Sequence, residues 1–454
     1  MKKYFMFVAV AAAGMLASCS SDSLTAGSDP TIEPTLEERV PIKISVASPK
    51  LKGVTRSVGT VGDTLGGTNV WLKEKVKVFM FVKNSNPLTL ATDENGSIYD
   101  DTELTTPNNV PSGIANEIVA GGDSIKYKYY PSVGNFDFWG YYIDDANNGA
   151  IDRGATAYKV PFKIKGCQDL MVAKADTTTA QYDIITDRNS GTPSPWPDQD
   201  RFYSAYSARR NVQPDMTFKH LLTRLTFSVV GKDYKAIGWK ETVTPGVYAL
   251  PGSGVYDGVF VKSIKAKSKE TGNIIAAYTG DAKPTTELIE FNGDYVMLPL
   301  GTKRGERTTN LVDSLYDQTT FSTATWNNKA AMEALLTIGN ANWDSIMRPK
   351  TIDPTNATPI GGALLVSPED SYDLEIELGQ YLLVEDSYPV PGSNSQYEVR
   401  YFKVPYTITP TKVNGTTQGV SYNVKITLFG FEKIEVTTTL EAWTPGEEIS
   451  FDAE

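Results

Sequence analysis

One histidine, His220, and two cysteines, Cys19 and Cys167, are all that 454 residues offer of the side chains most used for zinc binding and thiol chemistry. That scarcity thins the options for a histidine metal site or a Ser-His-Asp triad. Basic residues are also in deficit. The 43 Lys and Arg stand against 54 Asp and Glu, a formal net charge of −11 with no basic run to offset it, which argues against a nucleic-acid partner. No C-x-x-C, H-E-x-x-H, G-x-S-x-G or Walker pattern occurs. "DENGSIYDDTEL" approaches a calcium loop at Asp93, Asn95 and Ser97 but has Ile98 where glycine belongs and Leu104 at the twelfth place, so it reads as a solvated turn. His220, followed by Leu221 and Leu222, reads as a hydrogen-bonded core or turn residue. No catalytic residue, metal or cofactor is expected, and nothing asks for an enzyme.

A long hydrophobic run is missing too. Phe5 to Leu16 is apolar after Lys2 and Lys3 but falls short of the ~20 residues needed to span a bilayer, so it reads as a secretory signal. It ends in "LASC", which looks like a bacterial lipobox with Cys19 as the acylated first residue of the mature chain. The alternative is an ordinary signal cut near Ala17 with a free Cys19. With lipid on Cys19, Cys167 is alone, no internal disulfide is possible, and Cys167 reads as a small buried hydrophobe. Ser20 to Glu38 is Ser, Asp, Thr, Glu and Pro, a solvated tether. The expected order is signal peptide 1–18, tether 19–39, then folded chain.

What is abundant is turn and strand chemistry: Gly 37, Pro 26, 11% aromatics and many Val, Thr and Tyr runs. In "VPIKISVASPKLKGVTRSVGT", Val40, Ile42, Ile44 and Val46 alternate with Pro41, Lys43 and Ser45, the period of a half-buried strand. Arg56 follows among glycines. "VKVFMFVK" places Val76, Val78, Met80 and Val82 on one face, and "NFDFWGYYID", "YKVPFKI" and "DLMVAKAD" continue the pattern. Residues 84–122 read as loops and short edge strands. "MTFKHLLTRLTFSVVG" opens a second strand-rich half that closes on "KIEVTTTLEAW", and one helix is expected at 327–338. The fold class is all-β: two β-sandwich domains in tandem, 57–212 and 213–454, with one short helix in an insertion of the second. Trp71, Trp139 and Trp443 read as core. Trp196, Trp326 and Trp343 sit in polar surroundings where exposed rings could stack on a sugar or a partner.

Several stretches, in order, resemble the fimbrillin-like (FimA/Mfa-like, type V pilus) subunits of Bacteroidales. They are the lipobox, "YYPSVGNFDFWGYY", "GCQDLMVAKA", "MTFKHLLTRLTFSV" with Phe218, His220 and Leu225, and the ending "YNVKITLFGFEKIEVTTTLEAWTPGEEISF" with its Trp443 and Gly446. The resemblance implies two transthyretin-like sandwiches and an outer-membrane lipoprotein precursor that becomes a cell-surface pilus subunit. It also implies an arginine-specific protease cutting after Arg56, so that Ser57 becomes the first residue and 40–56 is a removable strand and handle.

Loss of Val40, Ile42, Ile44 and Val46 would bare an apolar floor and a row of unpaired N–H and C=O groups, which a donor strand from the next subunit fills by strand addition. Four apolar side chains at about 1.5–3 kcal/mol each give roughly 6–12 kcal/mol before ordering costs. Arg39 and Arg209-Arg210 are rival cutting sites, and Arg56 in an uncut anchor subunit is the alternative. The closing run carries Ile434, Val436, Leu440 and Ala442 on one face as a candidate donor, or is simply the last strand of the second domain. With no obvious further strand, a tip or accessory role is favoured. Long loops at 84–122, 177–212 and 301–360 would face a host or bacterial receptor. The competing reading is a surface-tethered glycan-binding lipoprotein using Trp196, Trp326 and Trp343.

Overall fold

The computed structural model describes residues 39–48, 70–119, 124–175, 177, 181, 203–232, 240–241, 248–249, 259–280, 288–301, 356–383, 397–429 and 434–441. These are almost all strand, turn and loop. Ala205–Ala208 makes one helical turn, capped by the Ser204 and Ser207 side chains in a reciprocal box. The helix expected at 327–338 lies outside the described residues.

The principal strands in chain order are β1 (Ile44–Ala47), β2 (Lys75–Val82), β3 (Thr102–Thr105), β4 (Ser112–Ala115), β5 (Phe136–Tyr142), β6 (Ala157–Lys163) and β7 (Met171–Lys174). They continue with β8 (Asp215–Thr217), β9 (Lys219–His220), β10 (Thr223–Gly231), β11 (Val259–Lys269), β12 (Thr271–Tyr278) and β13 (Tyr295–Pro299). The last are β14 (Thr358–Val366), β15 (Tyr372–Leu383), β16 (Tyr397–Ile408), β17 (Ser421–Leu428) and β18 (Ile434–Glu441).

A three-stranded sheet runs β8-β1-β4, and a five-stranded sheet runs β9-β7-β5-β2-β3. A third sheet is built on β6 and β12, flanked by Asp152–Arg153 and Ile289–Phe291. Two further four-stranded sheets run β14-β10-β17-β18 and β13-β11-β15-β16, and four two-stranded pairs lie among the described residues. Strands beyond residue 212 therefore pair with earlier ones: β8 with β1, β9 with β7, and β12 with β6 along seven residues.

Two apolar cores result. One lies between the three- and five-stranded sheets and contains Ile42, Ile44, Val46, Trp71, Val78, Met80, Phe138, Met216 and Phe218. The other runs from the opposite face of the five-stranded sheet, through Phe79, Phe81, Trp139 and Tyr141, into the last two sheets. The five-stranded sheet is thus covered on both sides. This is why β2 buries Phe79 and Phe81 as well as Val76, Val78 and Met80, where alternation alone predicts one apolar face. Tyr158 of β6 meets the Phe79 and Phe81 rings edge-on at 5.4 and 5.1 Å. Val82, at the strand's end, is 39% exposed.

β10 is buried at all nine positions because it is an inner strand, parallel to β17 and antiparallel to β14. β15 and β11 instead present a charged outer face, with ion pairs Lys262–Glu377, Lys267–Asp373 and Lys403–Glu375 at 3.0–3.3 Å. No helix among the described residues is long and apolar enough to cross a membrane.

Candidate functional site

The opening strand is an inner strand. One edge of β1 pairs antiparallel with β4, Ile44 opposite Ala115 and Val46 opposite Gly113. The other pairs parallel with β8, Ser45 opposite Asp215 and Val46 opposite Met216. Further backbone bonds extend both edges. Ile42 N donates to Lys128 O at 2.8 Å, Tyr130 N to Val40 O at 3.0 Å, and Ser48 N to Pro111 O at 2.8 Å. On the β8 side, Ser45 N donates to Pro214 O at 2.9 Å and Phe218 N to Ala47 O at 3.0 Å. Even-numbered residues thus serve one edge and odd-numbered residues the other, as the period of two requires.

Side chains follow the same alternation. Ile42, Ile44 and Val46 are 6%, 1% and 0% exposed, while Val40 is half-buried at the rim. Three fully buried side chains at about 1.5–3 kcal/mol each give roughly 5–9 kcal/mol, somewhat less than four would. Without this strand, β4 and β8 would lose the strand that joins them, and the core under Val46 would open to water.

The two family-like motifs of the middle chain meet beside this core. Met171 stands opposite His220 in the β7–β9 pair, and His220 Nδ1 lies 2.8 Å from Asp169 Oδ2 with both side chains buried. Phe218 packs edge-on against Trp71 with ring centroids 5.5 Å apart. Gly140 of β5 makes room for it: a Cβ there would sit 3.2 Å from the Phe218 ring and 3.3 Å from the Met216 methyl. Arg224 is fully buried on β10 and donates to Ser421 Oγ at 2.8 Å.

The candidate donor, β18, is the edge strand of its sheet, paired with β17 over its whole length. Ile434 and Val436 face the core at 8% exposure each, but Leu440 is 55% exposed. The apolar face of this strand therefore stops short of Leu440, because β18 runs past the edge of the core. Ala442 lies outside the described residues, as do Cys19, Arg56, Ser57, Trp196, Trp326, Trp343 and Trp443.

Among the rival arginines, Arg209 caps the short helix and Arg210 stacks over Tyr206, 3.6 Å from its ring centroid. Trp71 and Trp139 are core at 0% and 3% exposure. A cavity of about 300 Å³ opens beside Trp139, lined also by Asn84, Asp137, Lys174 and Tyr278. Lys174 Nζ sits 5.1 Å from the indole centroid, the Tyr278 ring meets it at 4.8 Å in a T-shaped contact, and at 3% exposure the indole has little surface for stacking a sugar. The acidic "DENG" stretch is a hairpin turn, in which Asn95 N donates to Asp93 Oδ1 at 2.7 Å and Gly96 takes φ +109°.

Cys167 is half-buried, not buried as its neighbours in sequence suggest, because it lies in the loop leading into β7. Its thiol pKa is pushed up to about 12, by burial first and then by Asp145 and Asp144. An electropositive, thiolate-stabilising site is the opposite of this environment. Sequence reasoning found the opening strand but missed its neighbours. "SGIA" and "DMT" are too short for periodicity to show, and Asp215 lies 100 positions beyond Ala115 in the linear chain.

No family model matches the chain, and no curated protein does. Solved structures do. A candidate cell-adhesion protein of Bacteroides ovatus aligns over 90% of this chain and 99% of its own at 11% identity and TM-score 0.39. The fimbrial anchor protein Mfa2 of Porphyromonas gingivalis covers 89% and 100% at 10% identity and TM-score 0.31. A fimbrial assembly protein of Parabacteroides distasonis covers the same shares at 12% identity and TM-score 0.31.

Proposed function

We propose that this chain is a structural subunit of a cell-surface pilus, whose opening strand plugs a groove until a neighbouring subunit's strand replaces it. The observation that carries the reading is that β1 is hydrogen-bonded on both edges while its three inward side chains complete a core. A strand so placed is costly to lose unless another fills the gap, and it is joined to the rest of the fold through residues 49–69, where Arg56 lies.

In this reading the precursor is exported as a lipoprotein acylated on Cys19 and held at the outer membrane. An arginine-specific protease cuts after Arg56, Ser57 becomes the new terminus, and strand addition joins subunits. A tip or accessory place is favoured because β18 already serves its own sheet, leaving Ile434 and Val436 committed at home. Adhesion would then use the long loops, toward a host or bacterial receptor. The test is the N-terminus of the protein taken from the cell surface, read by peptide mass spectrometry. A chain beginning at Ser57 supports the reading. A chain beginning at acylated Cys19 overturns polymerisation by this route and leaves an anchor or a tethered binding protein.

A further inference from the structure

The backbone ladder on the parallel side of the groove stops at Pro214, and a side chain carries it on. Ser45 N bonds to Pro214 O, but proline has no N–H to return to the carbonyl of Lys43. One residue earlier, the Gln213 amide takes over. Its Nε2 donates to Pro41 O at 3.3 Å and its Oε1 accepts from Lys43 N at 3.2 Å. Bonds to the carbonyl before and the N–H after one residue, here Ile42, are what a backbone residue makes in a parallel pair. Lys43 N can only donate and Pro41 O only accept, which fixes which end of the amide faces which, and Tyr130 OH also donates to Gln213 Oε1 at 3.4 Å.

Resting on the groove reading above, we infer that Gln213 is a positioning residue that sets the register of whatever strand occupies the groove. It acts as a side-chain rung and reads backbone, not side-chain identity. The occupant it selects is an extended segment with apolar residues at three alternating places, those of Ile42, Ile44 and Val46. That segment must carry a free N–H at the places of Lys43 and Ser45, while proline is tolerated at the place of Pro41, as in this chain. A one-residue slip turns the apolar set outward and also takes the carbonyl and N–H away from Gln213, so both devices reject the same error.

The experiment has two arms. In the intact chain, amide exchange is followed residue by residue across 40–48 in wild type, Gln213→Leu and Gln213→Glu. Lys43 is expected to exchange roughly tenfold faster in Gln213→Leu, the worth of one ordinary hydrogen bond, while Ser45, held by Pro214 O, keeps its rate. Gln213→Glu keeps the acceptor, so Lys43 stays protected. An unchanged Lys43 in Gln213→Leu, or equal acceleration of every amide from Ile42 to Ser48, overturns the inference.

In the second arm a site-specific protease sequence is placed within 49–69, the chain is nicked, and a labelled 40–48 peptide is exchanged in. N-methylation of the peptide's Lys43 amide should weaken binding about tenfold to wild type and add nothing in Gln213→Leu. An equal penalty in both backgrounds overturns the inference. If the nicked wild-type chain never exchanges the strand, the groove reading fails, and the Lys43 exchange rate still decides the role of Gln213.

Discussion

His220 Nδ1 and Asp169 Oδ2 are 2.8 Å apart, with both side chains out of solvent, and this contact joins two segments about fifty residues apart. It ties the end of the "GCQD" loop to β9, the short strand between β8 and β10. Removing either partner takes one buried polar contact from the other. Asp169→Ala and His220→Ala are each expected to cost about 1–3 kcal/mol in equilibrium denaturation, with the double substitution costing less than the sum.

Inward and outward positions of the opening strand should separate cleanly. Ile44→Ala, at a site 1% exposed, should lose about 2–5 kcal/mol, whereas Ser45→Ala should stay within roughly 0.5 kcal/mol because the side chain leaves its backbone bonds intact. Denaturant unfolding of the unlipidated chain reads both. Equal effects would mean the strand is not seated as described.

Cys167 should be a poor nucleophile in the folded protein. With its pKa pushed up to about 12, its thiolate at pH 8 is on the order of a thousandfold scarcer than that of an unperturbed cysteine, so alkylation by iodoacetamide should slow accordingly. The linked stability effect has a definite sign. The unfolded thiol ionises from about pH 8.5 while the folded one stays protonated, so its contribution falls as pH rises from there toward the folded value. Alkylation as fast as in denaturant would refute this.

Tyr99, Tyr130, Tyr141 and Tyr372 all have phenol pKa values raised by burial, and Tyr422 is pushed up to about 12 by the same cause. A spectrophotometric titration should therefore show an exposed fraction ionising near pH 10 and a buried fraction that ionises only as the protein unfolds in alkali. A single transition near pH 10 with the fold intact would contradict the burial of these rings.

On the strand-replacement proposal, Arg56→Ala should leave the N-terminus uncut and abolish any subunit ladder on electrophoresis, while Arg39→Ala should leave both as in wild type. An unchanged terminus and ladder in Arg56→Ala would refute a cut there, and an altered N-terminus in Arg39→Ala alone would move the cut ahead of the strand and leave the groove filled.

Much of this molecule can be read in the linear chain. The inward set Ile42, Ile44 and Val46 and the β18 residues Ile434 and Val436 follow from period-two alternation, because a strand with one face on a core must alternate. The scarcity of histidine and cysteine and the acid excess narrow the chemistry in the same direct way. Phe79 and Phe81, by contrast, are buried against alternation, because a second sheet covers the far face of β2 and no local pattern reports a second layer. The exposure of Leu440 has a related cause: it depends on where the opposing core ends.

Composition and period thus determined that the protein is all-β, that Val40 to Val46 has the pattern of a half-apolar strand, and that a glycine-flanked arginine follows it. Only the tertiary structure decided that this strand lies between Ser112–Ala115 and Asp215–Thr217, that His220 meets Asp169, and that Gln213 completes a ladder Pro214 interrupts. Those are long-range pairings, and hydrogen bonds between strands carry no signature in either strand's own sequence beyond its two faces.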